Sequence, residues 1–320
     1  MAHLIDMANG RANMAYVGEV PWHGLGQALT DGASLDQWRV EAGLDWEAKR
    51  NALYYRDATT AVRKSEKEVL YRSDTGAELG IVSPSYQIVQ PEEVVEFFRD
   101  LTSLHGFEME TAGSLDGGRK AWALAKTGGE FRLHGQDQVG AYVLLATSFD
   151  GTLATRAQFT SVRVVCNNTL QIGLKSGSGI AVSHSTGFDA SKVKVELGLL
   201  ESAFADFERN AQILTGRKVA RKEAVQFLMD ILADGETDVD KLSTRMANII
   251  QNVYTLYAGA GMGAQLEAAN GTAWGLLNAV TEYVDHTQGR NVNNRFKSAQ
   301  FGAGADLKSA AFAGALKLAA

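Results

Sequence analysis

One stretch rich in β-forming residues constrains the fold of this chain more than any other. Residues 144–174 read LLATSFDGTLATRAQFTSVRVVCNNTLQIGL, interrupted by Asp150-Gly151 and by Asn167-Asn168. Asp-Gly between apolar runs is a strong hairpin signal, because glycine tolerates the positive φ of a tight turn. The segment 154–165 is rich in Thr, Val and Phe, which indicates a long strand. We therefore predict adjacent antiparallel strands across this stretch.

The rest of the first half reads as more strands with few helices. A proline in the first helical turn followed by glutamates is typical of a helix start, and this pattern begins at Pro91. Ser34 is a helix cap, and Gly43 ends the short helix that it opens. The sequence predicts an extended arm over 1–30, strands over 46–55 and 60–74, a helix over 91–106 and a hairpin that turns at Asp116-Gly117-Gly118.

From Ala190 onward the pattern becomes helical. Leu197, Leu200, Phe204 and Phe207 form an apolar stripe on a long predicted helix over 191–216, and an exposed stripe of this kind would drive oligomerisation. Further helices are predicted over 221–235, from Asp238 to 259 and over 273–288, followed by a polar loop and a helix of small residues.

We therefore predict an α+β fold in two parts. Residues 1–189 form an antiparallel, hairpin-rich sheet with a packed helix, and residues 190–320 form a helical domain that ends in a basic arm. A chain of 320 residues is long enough for both parts to bury a core.

Composition excludes several classes of protein and site. A net charge of −6 argues against a protein coated in basic charge, although it leaves room for a local basic groove. The one cysteine, Cys166, cannot form an intramolecular disulfide or a multi-cysteine zinc site, which suits a reducing cytoplasm. The N-terminus lacks the apolar core of a signal peptide, and no apolar run is long enough to span a membrane. We expect a cytoplasmic protein.

Candidate nucleic-acid contacts cluster where acidic residues are absent. No Asp or Glu occurs within 151–188 or within 286–305. Two interpretations of the glycine turn at Asp116-Gly117-Gly118 stay open: Arg119 and Lys120, which flank it, face solvent, or they contact backbone phosphates. Arg156 and Arg163 are seven residues apart, so a regular strand would place them on opposite faces. The candidate set is Arg119, Lys120, Arg156, Arg163 and Lys175, with Arg290, Arg295 and Lys297 on the C-terminal arm.

Aromatic residues could add base stacking. Phe149 is the best candidate because it adjoins the Asp-Gly turn and hairpin tips are exposed. Tyr86, Trp122 and Phe159 are weaker candidates, because aromatic residues on strands mostly belong to the core.

No motif indicates an enzyme, a metal or a cofactor. GSLDGGRK lacks the spacing of a phosphate-binding P-loop. The histidines form no H-x-x-x-H pattern, and a lone cysteine at a strand end is usually a small buried hydrophobe. For His184, within SHSTGF, we expect a hydrogen bond in the junction loop.

Several segments together resemble one family, the phage- and plasmid-type proteins grouped as domain of unknown function 932. The resemblance implies a mobile-element gene in a bacterial host. The segments are PWHGLGQAL, YQIVQPEEVVEFFRDL, AGSLDGGRKAWALAK, LLATSFDGTLATRAQFTSVRVVCNNTLQ, SHSTGF, NAVTEYVDHTQGR and RFKSAQFGAGADLKSAA.

The order of elements is also similar, more distantly, to the core of single-strand annealing recombinases, which form rings or filaments and hold DNA by its backbone. That similarity implies a non-enzymatic, homo-oligomeric protein that binds single-stranded DNA in a basic groove and anneals strands. The alternative is a protein-interaction factor of a mobile element that acts on host machinery.

Overall fold

The fold is α+β, as predicted: sheets that are antiparallel apart from one parallel strand pair come first, and a helical region follows. The computed structural model describes residues 5–8, 10–18, 24–163, 168–171, 180–198, 201–233, 241–289 and 292–320. The described strands are β1 (Met7–Ala8), β2 (Arg11–Ala12), β3 (Met14–Val17), β4 (Gln27–Leu29), β5 (Ala48–Arg56), β6 (Val62–Arg72), β7 (Glu78–Val82), β8 (Glu108–Leu115), β9 (Lys120–Leu133), β10 (Asp137–Ser148), β11 (Thr155–Arg163), β12 (Asn168–Gln171) and β13 (Ile180–Val182).

The main sheet is built around the stretch that the sequence singled out. Its strand order across the described residues is β12-β11-β10-β9-β8-β3-β4, with β13 also paired to β11. β10 and β11 pair antiparallel without a break, from Val139 opposite Arg163 to Ala146 opposite Arg156. The predicted hairpin at Asp150-Gly151 is confirmed, with Gly151 at a φ of +74°. β12 pairs antiparallel with β11, while Asn167 lies outside the described residues.

A second, three-stranded sheet has the order β5-β6-β7. It touches the main sheet at Gly80, where an added Cβ would lie 2.6 Å from the Cα of Asp150. Real Cβ atoms do not approach that closely, so only glycine allows this contact. The loop after β10 therefore packs directly against the backbone of β7.

The helices follow the predicted order, but the helix predicted over 91–106 is divided in two and a helix over 292–301 replaces the predicted polar loop. They are α1 (Leu35–Glu41), α2 (Pro91–Glu96), α3 (Arg99–His105), α4 (Ala190–Gly198), α5 (Glu201–Gly216), α6 (Arg221–Leu232), α7 (Thr244–Thr255), α8 (Ala273–Glu282), α9 (Val292–Phe301) and α10 (Ala303–Ala319), with π-helical turns at Leu256–Ala260 and Tyr283–Thr287.

Capping residues explain several of these boundaries. The side chain of Ser34 accepts a hydrogen bond from the backbone of Gln37, which confirms the predicted cap of α1. Thr272 caps α8 in the same way. α7 begins at Thr244 under the cap residue Ser243. The predicted start at Asp238 lies outside the described residues.

The helical half packs on the main sheet. Phe207 of α5 lies 5.9 Å from Phe131 of β9 and 5.5 Å from Phe312 of α10, measured between ring centroids. The indole nitrogen of Trp274 donates a 2.9 Å hydrogen bond to Asp137 at the start of β10. One cluster of buried side chains runs from the sheet into these helices. The division at residue 189 stays a prediction, since the two halves share this core.

The described part of the apolar stripe that was predicted to drive oligomerisation packs against the sheet of the same chain. Phe207 is buried against the sheet and Phe204 is half-buried beside Phe131. The side chain of Leu197 and all of Leu200 lie outside the described residues. The described part of the stripe therefore stabilises the fold of one chain, and it gives no support to an oligomer.

Candidate nucleic-acid interface

The glycine turn between β8 and β9 separates its two cations. Asp116 has a φ of +58°, and Gly117 and Gly118 also have positive φ, which confirms the predicted turn. Arg119 is exposed at this turn. Lys120 is only 3% exposed, and its amino group lies 2.9 Å from a carboxylate oxygen of Asp150. The expectation that Lys120 faces solvent is wrong, and a buried, paired amino group is not available to a phosphate.

Phe149 is fully buried, so its predicted role in base stacking is wrong. Its backbone N–H donates to the carbonyl of Arg119 at 2.8 Å, and its ring lies edge-on to Trp46 at 5.2 Å. The link from β10 to β11 is longer than a two-residue turn, and Ser148 and Leu153 close it through hydrogen bonds. This closure directs Phe149 into the core. The weaker stacking candidates are also buried: Tyr86, Trp122 and Phe159.

The unbroken register of β11 places the Arg156 and Arg163 positions on opposite faces, as predicted for a regular strand. Arg156 is half-buried, and its Nε has no hydrogen-bond partner in the described chain. Gln158, two residues on and on the same face, is 1% exposed, and both polar atoms of its amide are without partners there. The side chain of Arg163 and all of Lys175 lie outside the described residues.

The predicted C-terminal basic arm is instead helical, because residues 292–301 form α9. The guanidinium group of Arg295 donates to four main-chain carbonyls: those of His286 at 2.6 Å, Gln288 at 2.8 Å, Gly289 at 3.2 Å and Thr287 at 3.5 Å. It therefore ties α9 to the end of the preceding π-helical turn. Arg290 and the side chain of Lys297 lie outside the described residues.

The hairpin of β5 and β6, which sequence reasoning did not single out, is the most distinctive exposed surface. Residues 48–72 contain seven Lys or Arg and three Asp or Glu, a net charge of +4 in a chain of net charge −6. Tyr54 is 59% exposed and Tyr55 is 55% exposed. Val62, on the facing strand, is exposed as well. Large apolar side chains this exposed, among cations, mark a candidate binding surface.

Three of the four cations near the hairpin tip have no ion pair within the described residues. Lys64 and Lys67 are exposed, and neither has an ion-pair partner in the part of the chain that is described. Arg63 contacts Asp57 through its Nε at 3.0 Å. Arg56 donates to the carbonyl of Thr60. An exposed ion pair contributes little to stability, so these groups are available to a partner.

The base of the hairpin is firmly attached to the body. Arg72 is buried, and its guanidinium contacts Asp74 at 2.7 Å and Asp6 at 2.5 Å and lies 4.5 Å from the ring centre of Trp46. Burial alone would lower the pKa of Arg72, but hydrogen bonds to Asp74 and Asp6 outweigh it and raise that pKa. Arg72 therefore remains charged and fixes the end of β6.

The start of β5 is held by one amide side chain. The side-chain oxygen of Gln90 accepts a 2.8 Å hydrogen bond from the N–H of Ala48, and its nitrogen donates to the carbonyl of Ala48 at 3.1 Å. Further along the same strand, the N–H of Ala52 donates to the side chain of Asn51.

A polar cleft of about 430 Å³ lies where the two sheets meet. His184 stacks on Tyr86 at 4.3 Å, with Nδ1 2.8 Å from the carbonyl oxygen of Gln87 and Nε2 3.1 Å from that of Leu153. This confirms the predicted loop hydrogen bond, since in either tautomer the ring N–H reaches a main-chain carbonyl. Burial raises the pKa of Tyr86 to about 12. The lining hydroxyls belong to Ser83, Ser183 and Ser185.

Among the residues that the structure describes, no three His, Cys, Asp or Glu side chains are grouped so as to hold a metal ion. In the same residues, no helix has both the length and the apolar character that a bilayer crossing requires.

Comparison with known proteins identifies a family. No curated protein and no solved structure matches the chain. The family model described as "Domain of unknown function (DUF932)" matches residues 78–300, which is 223 of the 320 residues. The matched span contains most of the main sheet and begins after the β5–β6 hairpin. This match confirms the family resemblance, and the chain belongs to the DUF932 family.

Proposed function

We propose that this chain is a non-enzymatic protein that binds single-stranded nucleic acid, and that the β5–β6 hairpin is its principal contact. The observation that carries the proposal is the exposure of Tyr54 and Tyr55 on a basic hairpin, beside Lys64 and Lys67, which form no ion pair with any described residue. Stacking of a base on an aromatic ring contributes about 1–3 kcal/mol and is tolerant of sequence. Cations beside the rings neutralise backbone phosphates.

The distribution of charge supports the hairpin as the contact. The chain has a net charge of −6 and residues 48–72 have +4, so the remainder has −10. A polyanion is repelled by the body and attracted by the hairpin, because binding depends on local potential. Arg119, which is exposed, and Arg156, which is half-buried, are secondary candidates for phosphate contacts.

Three residues of the initial candidate set drop out of the proposal. Lys120 is paired with Asp150, Phe149 is in the core, and Arg295 binds main-chain carbonyls. Strand annealing, assembly into a ring or filament and a phage or plasmid origin stay predictions that rest on the resemblances.

The test is fluorescence anisotropy of a labelled single-stranded oligonucleotide at low and moderate salt, with DNA and RNA in parallel. We expect salt-sensitive binding by the natural chain and a loss of at least about tenfold in affinity on replacing Tyr54, Tyr55, Lys64 and Lys67 by Ala, since two stacked bases are worth several kcal/mol.

The matched control carries alanine at Arg209 and Lys222, two exposed cations on α5 and α6. It removes the same positive charge and should bind like the natural chain. If the natural chain does not bind the oligonucleotide at low salt, the proposal is overturned and the protein-interaction alternative gains support. Equal losses of affinity in the hairpin and control variants would show that the hairpin contributes only non-specific positive charge.

A further inference from the structure

We infer that the two faces of the β5–β6 hairpin each bind a separate segment of single-stranded nucleic acid, so that one protomer holds two segments on opposite sides of one ribbon. This inference rests on the proposed function and adds to it the number and the placement of the bound segments.

The pairing of the hairpin gives each face one tyrosine and one cation. Tyr54 is opposite Lys64, and Tyr55 is opposite Arg63. Successive side chains of a strand point to opposite faces, and residues directly opposite each other across an antiparallel pair share a face. One face therefore carries Tyr54 with Lys64, and the other carries Tyr55 with Arg63.

Both faces are open at this level of the hairpin. The exposures of Tyr54 and Tyr55, 59% and 55%, are nearly equal, so neither ring is covered by the body. Nearer the base, in contrast, Ala48 and Leu70 are buried on one face. The third strand, β7, pairs with β6 only from Glu68 to Tyr71. The tip is consequently a two-stranded ribbon that projects beyond the sheet with both faces uncovered.

A register shift separates the faces of the hairpin tip from those of its base. Ala52 pairs with Glu68 and Tyr54 with Lys64, so β6 has two more residues than β5 in this interval. The N–H of Lys67 donates to the hydroxyl of Ser65 within this bulge. Extra residues of this kind increase local twist, which turns the tip faces away from those of the base.

The cations on the two faces differ in their surroundings. Lys64 has no ion pair within the described chain, whereas Arg63 uses its Nε on Asp57 and is 60% exposed. Both can contact a phosphate beside a stacked base, and the carboxylate of Asp57 lowers the local potential on the Arg63 face. We expect the Tyr54 and Lys64 face to bind more tightly.

A backbone-following, base-stacking ligand fits this arrangement. A tyrosine ring offers a flat surface to any base, and the adjacent cation offers one contact to a phosphate. Holding two strands on opposite faces of one ribbon brings them close together while keeping their bases apart. This geometry would allow each strand to be presented to a complement.

The experiment counts oligonucleotides per protomer. Natural protein is titrated into a labelled homopolymer of about eight nucleotides, within the site sizes known for single-strand binders, at concentrations well above the dissociation constant. Two variants each disable one face: Tyr54→Ala with Lys64→Ala, and Tyr55→Ala with Arg63→Ala. We expect two bound oligonucleotides per protomer in the natural chain and one in each variant.

A second measurement uses a mixture of donor-labelled and acceptor-labelled oligonucleotides that cannot pair. Energy transfer should appear with the natural chain and be lost in either variant, while unchanged thermal unfolding midpoints show that both variants are folded. One oligonucleotide per natural protomer, or variants that lower affinity at an unchanged count, would overturn the inference and leave the proposed function standing. No binding by the natural chain would overturn the proposed function itself.

Discussion

The amino group of Lys120 lies 2.9 Å from a carboxylate oxygen of Asp150, and the lysine side chain is almost completely buried. The contact joins the turn between β8 and β9 to the loop between β10 and β11. The same loop packs against Gly80 of the three-stranded sheet. One ion pair therefore lies at the point where the main sheet, its central hairpin and the hairpin-bearing sheet meet.

Replacing Lys120 with Met should destabilise the fold by about 3–5 kcal/mol, because Asp150 would then be a partly buried charge without its partner. Urea unfolding would measure the loss. The double replacement Lys120→Met with Asp150→Leu should recover part of it, although Thr152 would also lose its hydrogen bond to Asp150. Unchanged stability combined with weakened oligonucleotide binding would return Lys120 to the phosphate-contacting set.

Acid should weaken the fold through Asp150 and Asp74. Burial alone would raise the pKa of Asp150, but hydrogen bonds from Thr152 and Lys120 outweigh it and hold that pKa below its usual value. A hydrogen bond from Arg72 likewise lowers the pKa of Asp74. A carboxylate with a lowered folded pKa contributes stability above its unfolded pKa of about 3.9 and loses it as pH falls through the folded pKa.

We therefore expect the free energy of unfolding to decrease as the pH is lowered below about 4. Asp150→Asn should flatten this part of the profile, since it removes one of the titrating groups. Urea titrations at several pH values would measure both slopes. An acid slope that is identical in the variant would show that the pKa of Asp150 does not differ between the folded and the unfolded state.

Phe149→Ala should cost about 3–5 kcal/mol, because a fully buried ring leaves a cavity. Phe149→Leu should cost less, since it fills more of that space. Thermal unfolding would rank the two variants. Oligonucleotide affinity should be unchanged below the unfolding transition, and a selective loss of affinity in the leucine variant would restore the stacking role.

Arg295→Lys should destabilise the C-terminal helices by about 1–3 kcal/mol, because an ammonium group cannot reproduce the planar set of N–H donors that reaches four carbonyls. Hydrogen exchange should show faster opening near α9. The substitution keeps the positive charge, so it separates the two roles. An arginine that only binds nucleic acid could be replaced by lysine without loss of stability, whereas an arginine that holds the fold together could not.

Local signals predicted much of the architecture. The Asp-Gly turn, the cap Ser34 and the glycines after Asp116 each act through bonds within a few residues, so the sequence identifies them directly. The order of strands within the main sheet depends on long-range pairing, and the sequence offered no rule for it.

The candidate site was predicted less well, and for a definable reason. The window without acidic residues selected Arg295 and the glycine turn selected Lys120, but burial and hydrogen bonding are set by tertiary packing. The β5–β6 hairpin contains Asp57, Glu66 and Glu68, so neither signal selected it. Its net charge and its paired tyrosines were the signals that could have identified it.

The bidentate contact between Gln90 and Ala48 also bears on how this protein behaves at high concentration. β5 is an edge strand, and a free edge is a template on which other chains can add strands and aggregate. The amide of Gln90 occupies both backbone groups of Ala48 as a neighbouring strand would, and Asn51 occupies the N–H of Ala52. The exposed edge is thus interrupted at two points, which protects the hairpin from fibril-like growth.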